Sequence, residues 1–395
     1  MKKIAFFSNS LARGGAERVL ARIIPRLKEN YEVYLILIDG SKIEYECPVE
    51  IINIGRTEKK NRIWYLFDQI VVNKKLEQII KVRNIECVIS FLNMPNLINV
   101  MTKNECKKIL GIHGVIEREL QNGLFGKMKY YMCKHKFRKA DAIICVSNKM
   151  RQDMIENWHI NSSKIVTIEN PCDIAEISLQ ADEEMDEREK DFYAAHQVVV
   201  GVGRLVKEKG YLYLLDSFVR LLAYHETAGL VIVGDGEEKQ KIEDKIKQLR
   251  IEKNVLLCGM KKNPYPYMKN ARIFVLSSVN EGFPNALIEA MCCGIPVVAC
   301  DCKYGPREIL DDTEQNLNKI AMDVEMVKYG ILVPDFTDRN NIDIETKKEM
   351  LADTINLLLK NNELRQKYAQ KAVERAEFYT VECCLRKYNE VIRTS

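Results

Sequence analysis

Residues 272–299, RIFVLSSVNEGFPNALIEAMCCGIPVVA, constrain the fold more than any other stretch of the chain. Residues 272–277 read as a short buried strand and 295–299 as a second. Between them come a turn, 280–284, and a helix expected from about 284 to 293. Pro284 suits the first helical position, where a missing N–H is no loss. Gly294 and then Pro296 end the helix. The unit is strand–loop–helix–strand. Glu281 lies in the loop at the strand's carboxyl end, and Glu289 follows eight residues later on the helix. Open α/β sheets take ligands at the carboxyl ends of their strands. Two Glu eight apart are ordinary helix composition. A carboxylate between an apolar strand and a Gly-Phe-Pro turn is a poor place for a merely solvated charge. Free N–H groups at the helix start would suit an anion on the same side.

The same alternation runs through the chain. Strands are expected at 4–8, 31–38, 49–54, 86–91, 107–112, 142–146 and 164–169, with helices at 16–29 and 64–81 and another capped by Ser147. An acidic run, 173–195, follows and reads as a linker region. Strands at 197–203, 229–233 and 254–257 then lead to the central unit and to a last strand at 330–333. Helices are expected at 211–224, 344–359, 363–378 and 381–393. Alternating strands and helices imply parallel sheets covered on both faces. Their occurrence twice implies two such domains, 1–172 and 196–379. A ligand is expected in the cleft between them.

Composition narrows the class. At 395 residues, 47% of them apolar, the chain is a folded one with room for two domains. Its 13 cysteines show neither paired zinc spacings nor a disulfide framework, so reduced thiols in a cytosolic protein are expected. The N-terminus reads as a first strand rather than a signal peptide. No run approaches a membrane span. The net charge of +4 hides an asymmetry: residues 1–170 hold 29 Lys/Arg against 18 Asp/Glu, and the remainder 31 against 38. A basic first half suits an anionic partner surface. Residues 126–139, GKMKYYMCKHKFRK, concentrate that charge among aromatics. They read either as a solvated helix with a core face or as a surface for anionic lipid headgroups.

Four features point at one cleft. Gly14-Gly15, ahead of a helix, lets a ligand approach the backbone near a positive helix end. His113 ends a strand beside Gly114. Arg204 and Lys209, five apart after a strand, could hold a diphosphate, one with a planar fork and the other as a point charge. Glu281 and Glu289 complete the set. Singly, a Gly-Gly turn, a lone His or two cations would be unremarkable. Together they suggest a nucleoside diphosphate carrying a sugar, with Glu289 placed to accept from ribose hydroxyls. Two glycosidase carboxylates are a poor reading of the Glu pair. No Asp-x-Asp lies near a strand end, so no divalent metal is expected.

The arrangement resembles glycosyltransferase family 4, the retaining nucleotide-sugar transferases of GT-B fold. The matching residues are Gly14-Gly15-Ala16-Glu17-Arg18, His113-Gly114, Asn170-Pro171, Gly203-Arg204-Leu205, Lys209-Gly210, Gly234-Asp235-Gly236 and the Glu281–Glu289 stretch. A narrower likeness, through Asn263-Pro264-Tyr265, residues 283–291 and residues 302–310, is to bacterial enzymes extending lipid-linked oligosaccharides or outer lipopolysaccharide core.

The resemblance implies two Rossmann-like parallel-sheet domains facing each other, with the last helix, 380–395, packed back on the first. It implies Gly14 and Gly15 against the donor diphosphate, and Arg204 and Lys209 neutralising it as it leaves. Glu281 would bond the sugar hydroxyls, helped by Gly282, Phe283, Pro284 and Asn285. Glu289 would bind ribose, Met260 and Lys261 would frame the base, and His113 would sit near the reacting centre. The expected activity is metal-independent, retaining transfer of a hexose or N-acetylhexosamine from a UDP-sugar, a substrate rather than a cofactor. The acceptor would be a growing, lipid-linked cell-surface glycan at the cytoplasmic membrane face; no nucleic acid is implied. An epimerase or phosphorylase of the same fold, or a silent nucleotide-sugar-binding subunit, are the alternatives.

Overall fold

The computed structural model describes residues 1–12, 14–41, 43–55, 62–114 and 123–394. The chain forms two compact units, each built on a seven-stranded sheet.

The first unit comprises Met1–Pro171 and Val381–Ser395. Its strands are β1 (Lys3–Ser8), β2 (Glu32–Leu37), β3 (Glu50–Asn53), β4 (Cys87–Phe91), β5 (Lys107–Ile112), β6 (Ala142–Cys145) and β7 (Ile165–Thr167). They lie in the order β3-β2-β1-β4-β5-β6-β7, every pair parallel. Strands such as KIAFFS and CVISF are apolar without alternation because both faces of the sheet are covered. Ile4, Phe6 and Ile89 pack on one face with Val19, Leu20, Ile23 and Ile24 of the helix Gly15–Leu27. Ala5, Phe7 and Val88 pack on the other with Val72, Leu76 and Ile80 of the helix Arg62–Arg83. The C-terminal helix Val381–Arg393 buries Tyr388, Val391 and Ile392 in the first of these cores, and Lys387 pairs with Glu169. One helix, Asn93–Met101, was not foreseen. Its three asparagines and a proline do not read as an amphipathic helix, yet Asn96 and Asn99 are fully buried.

The second unit is Cys172–Thr380. Its strands are β8 (Gln197–Val202), β9 (Ala228–Val233), β10 (Val255–Gly259), β11 (Ile273–Leu276), β12 (Val297–Cys300), β13 (Glu325–Val327) and β14 (Gly330–Val333). The order is β10-β9-β8-β11-β12-β14-β13, parallel except for the β13–β14 edge pair. The helix Tyr211–Leu222 buries Tyr211, Leu214, Leu215, Phe218 and Leu221, the stripe of a helix lying on a sheet. The acidic stretch 173–195, expected as a linker, forms two helices of this unit, Ile174–Gln180 and Glu187–Ala195. Its acids work as caps: the Asp173 side chain accepts from Glu176 N–H, and Asp186 and Glu189 make a capping box. Glu189 also binds Lys261 at 2.8 Å, and Tyr193 Oη donates to Tyr267 O at 2.7 Å.

In each sheet the strand order reverses at the centre, between β1 and β4 and between β8 and β11. At such a point the loops leave neighbouring strands toward opposite faces, which opens a crevice at the carboxyl edge.

Candidate functional site

The carboxyl edge of the second sheet is built on glycines. A Cβ on Gly234 would lie 1.8 Å from Gly203 O, and one on Gly236 2.5 Å from Leu205 O. Leu205 N donates to Asp235 O at 2.9 Å and Glu238 N to Leu205 O at 2.8 Å. The Gly-Asp-Gly turn after β9 is thus the support on which residues 203–205 lie. Arg204 is exposed there, and among the described residues its guanidinium has no ion-pair partner.

The chain then makes one tight turn, Lys207–Lys209, into the helix Tyr211–Leu222. Gly210, at φ +67°, joins them, and a Cβ there would meet Ser277 O at 2.2 Å. No other residue fits. The loops after β8 and β11 are bonded together: Ser277 Oγ donates to Lys209 O at 2.8 Å, and Val279 N to Glu208 O at 2.8 Å. Across this join Lys209 Nζ lies 2.6 Å from Glu281 Oε1, with the two side chains 19% and 9% exposed. Ser278 Oγ donates to the same carboxylate oxygen at 2.6 Å. Two donors on Oε1 leave Oε2 to accept from an outside hydroxyl. Burial, then the charge of Glu281, pushes the Tyr211 phenol far up, so it stays neutral beside the pair.

The turn 282–284 is pinned from both sides. Phe283 meets the Tyr379 ring edge-on, with centroids 5.5 Å apart. Gly305, at φ +90°, approaches so closely that a Cβ would lie 2.5 Å from Pro284 Cδ. The loop bearing Gly305 is held by Arg307, which is buried against Asp301 at 2.7 Å and Glu325 at 2.8 Å. Pro284 is the N-cap of the helix Asn285–Cys292 rather than its first residue, as its extended ψ of 95° shows. Its carbonyl accepts the first helical bond, from Leu287 N. Glu289 sits on this helix and is only 1% exposed. Met260, just past β10, is exposed, while Lys261 beside it is taken up by Glu189 and Asp186.

The first unit carries the other sequence candidates. Gly14 is the N-cap of the helix Gly15–Leu27, and a Cβ there would meet only the movable carboxylate of Glu17. His113 follows β5 and stacks on Phe91 with centroids 4.3 Å apart. Both ring nitrogens are shut off from solvent. Burial pushes its pKa down to about 3, with the Asn170 side chain pulling the other way, so the ring is neutral at physiological pH.

Within the second unit, Lys209 and Glu281 come together at the switch point, with Arg204 exposed on the loop that also bears Lys209. Glu289 is buried on the helix that follows. Sequence reasoning missed Ser277 and Ser278. Their only signal was small polar residues directly after an apolar strand, inside the stretch already singled out.

A crevice edge with a fixed cation–carboxylate pair and an exposed guanidinium on the same loop suits an anionic, hydroxyl-rich ligand. Two mainly parallel α/β sheets, each with its switch point at the carboxyl edge, define the class of fold against which known proteins can be compared. Residues 13–176 match the family described as Glycosyltransferase Family 4, and residues 182–375 the one described as Glycosyl transferases group 1. The Campylobacter jejuni N-acetylgalactosamine-N,N'-diacetylbacillosaminyl-diphospho-undecaprenol 4-alpha-N-acetylgalactosaminyltransferase is 31% identical over 391 residues, 96% of each chain. An uncharacterized glycosyltransferase of Methanocaldococcus jannaschii is 29% identical over 377 residues, 92% of each. The crystal structure of Anabaena HepE in complex with UDP shares the GT-B fold over the full length of both chains, with a TM-score of 0.78 at 17% identity. The chain belongs to glycosyltransferase family 4.

Proposed function

We propose that this glycosyltransferase moves a hexose or N-acetylhexosamine from a UDP-sugar to a lipid-linked cell-surface glycan, with retention and without a metal ion. The observation that carries the reading is the Lys209–Glu281 pair at the β8–β11 switch point, with Arg204 open on the same loop. The relative's named substrate and the UDP bound by HepE support the donor and acceptor class.

In this reading Glu281 Oε2 accepts from sugar hydroxyls. Lys209 and Arg204 meet the diphosphate, and Gly14 and Gly15 leave room for a phosphate at the helix start that they form. Met260 frames the base and Glu289 takes the ribose, which requires its helix to admit a hydroxyl to a carboxylate now buried. His113, neutral, bonds the sugar without adding charge once a ring nitrogen now closed off from solvent is opened to it. The bond from C1 to the phosphate oxygen breaks as the acceptor oxygen attacks from the same face. The acceptor's proton passes to the departing phosphate. Charge growing on that phosphate is what Arg204 and Lys209 stabilise. Glu281 is tied to Lys209 and Ser278, which suits a hydroxyl acceptor better than a nucleophile.

The helix Gly123–Lys136 would hold the enzyme at the cytoplasmic membrane face. Lys127 and His135 are exposed along it, with Met128 53% and Tyr131 67% exposed between them, a basic face with apolar tips suited to anionic lipid. Among the described residues no helix is long and apolar enough to cross a membrane. Cosedimentation with anionic but not neutral vesicles at low salt is expected. Equal partitioning removes the membrane arm.

The test of the whole reading is transfer from UDP-N-acetylgalactosamine to an undecaprenyl-diphosphate-linked acceptor in EDTA. An α-linked product from the α-donor is expected. An inverted product, or turnover only after a divalent metal is restored, overturns that part. The absence of transfer from any UDP-sugar overturns the reading.

A further inference from the structure

We infer that Asn96, backed by Ser90, is a positioning residue that fixes His113 at the carboxyl edge of the first sheet. The inference rests on the reading that His113 meets the donor sugar.

Asn96 stands on the helix Asn93–Met101, fully buried against the sheet. Its Nδ2 donates to Gly111 O at 2.9 Å, two residues before His113. Its Oδ1 accepts from Ser90 Oγ at 2.7 Å, one residue before Phe91, on which His113 stacks. Asn99 Nδ2 then donates to Ser90 Oγ at 3.0 Å. One amide therefore ties together the two strand ends that grip the imidazole. Gly111 leaves no slack, since a Cβ there would lie 3.1 Å from both His113 Nε2 and Ser90 O. Leu92, between Phe91 and the helix, has φ +74° and ψ 159°, a conformation that side chains rarely adopt. Such strain persists where the surroundings hold it, and a helix docked on buried amides holds it here. Two asparagines on the buried face of a short helix are a costly way to pack a core. They make sense as a means of setting position.

The experiment follows the five histidines of the full-length protein by NMR against pH, with His113 assigned by His113→Gln. Two variants are compared with wild type. Asn96→Ala removes the amide. Ser90→Ala with Asn96→Leu makes both partners apolar, so neither of this pair is left as a lone polar group. The wild-type His113 signal is expected to stay silent from about pH 5 to 8. In the variants it titrates toward the ordinary value of about 6.5, kcat falls about 10²-fold as a group is misplaced, and the donor KM changes by less than about twofold. A silent His113 in both variants overturns the inference, whether or not kcat falls. Failure of both variants to fold overturns it too, because a network the fold cannot do without is structural. Unchanged kcat in His113→Gln would instead remove the role of His113, while an Asn96-dependent His113 signal would still stand.

Discussion

The two sheets share one winding plan and differ in what they put at its centre. In both, two strands lie to one side of the unit's first strand and four to the other, so each has a switch point at its carboxyl edge. In the second sheet that edge carries charge: Lys209 on Glu281, with Arg204 open beside them. In the first it carries a neutral imidazole over a phenyl ring, backed by asparagine amides. Topology places a crevice; the residues just past each strand decide its chemistry. A fixed ion pair favours a ligand whose charge changes during reaction. A buried neutral ring favours hydrogen bonding at a point where added charge would be poorly solvated.

The largest effect should come from the charged edge. Glu281→Ala and Lys209→Ala each remove a group that the proposed function sets against the donor and should lower kcat by about 10²–10³-fold, roughly 3–4 kcal/mol, with the protein still folded by circular dichroism. Activity within twofold of wild type in either would break the comparison at its stronger side.

The neutral edge should show itself in acid. The folded His113 pKa of about 3 lies below the ordinary value of about 6.5. As pH falls, the unfolded chain takes the proton first. The contribution is therefore fully present above about pH 6.5 and is lost down to about pH 3. Between pH 7 and 4, urea unfolding should show wild type losing about 3 kcal/mol more than His113→Gln. Parallel losses in the two proteins would mean that the ring is charged or hydrated when folded.

Glycines separate the edges next. Gly210→Ala meets a backbone oxygen at positive φ and should destabilise by about 1–3 kcal/mol. Gly14→Ala meets only the Glu17 side chain, which can swing away, and should cost less than about 1 kcal/mol. Thermal melts of the two variants side by side settle the order.

The smallest effect is expected from Ser278→Ala. It removes one of two donors to Glu281 Oε1 and should lower kcat about fivefold, near 1 kcal/mol. A loss as large as that of Lys209→Ala would make the serine, rather than the cation, the holder of Glu281.

Much of the fold could be read in the chain. Runs such as VVVGV and GLVIV are apolar at every position, which a strand covered on both faces requires and an edge strand does not. Charged, periodic stretches between them can only be the covering helices. The helix Asn93–Met101 escaped because its buried face carries amides, whose partners are carbonyls of the flanking strands β4 and β5 that only the folded sheet brings under it. The 173–195 stretch misled for the opposite reason. Its acids look solvated, yet they cap helix ends and two of them bind Lys261, contacts invisible without the neighbours. At the site, the Gly-Phe-Pro turn marked Glu281 as special. That Lys209 pairs with it, and that the two cations after β8 differ so sharply in surroundings, depends on a contact between residues 72 apart.

By itself the sequence determined the class of fold, the number of sheets and the stretch in which the second sheet's chemistry lies. These follow from local pattern: hydrophobic period, glycine and proline placement, and charge next to strand ends. Only the tertiary structure decided which charges are paired and which open, that Glu289 is buried, and that His113 lies on the Phe91 ring with its nitrogens closed off from solvent. Those properties depend on burial and on hydrogen bonds between distant strands, and local pattern carries neither.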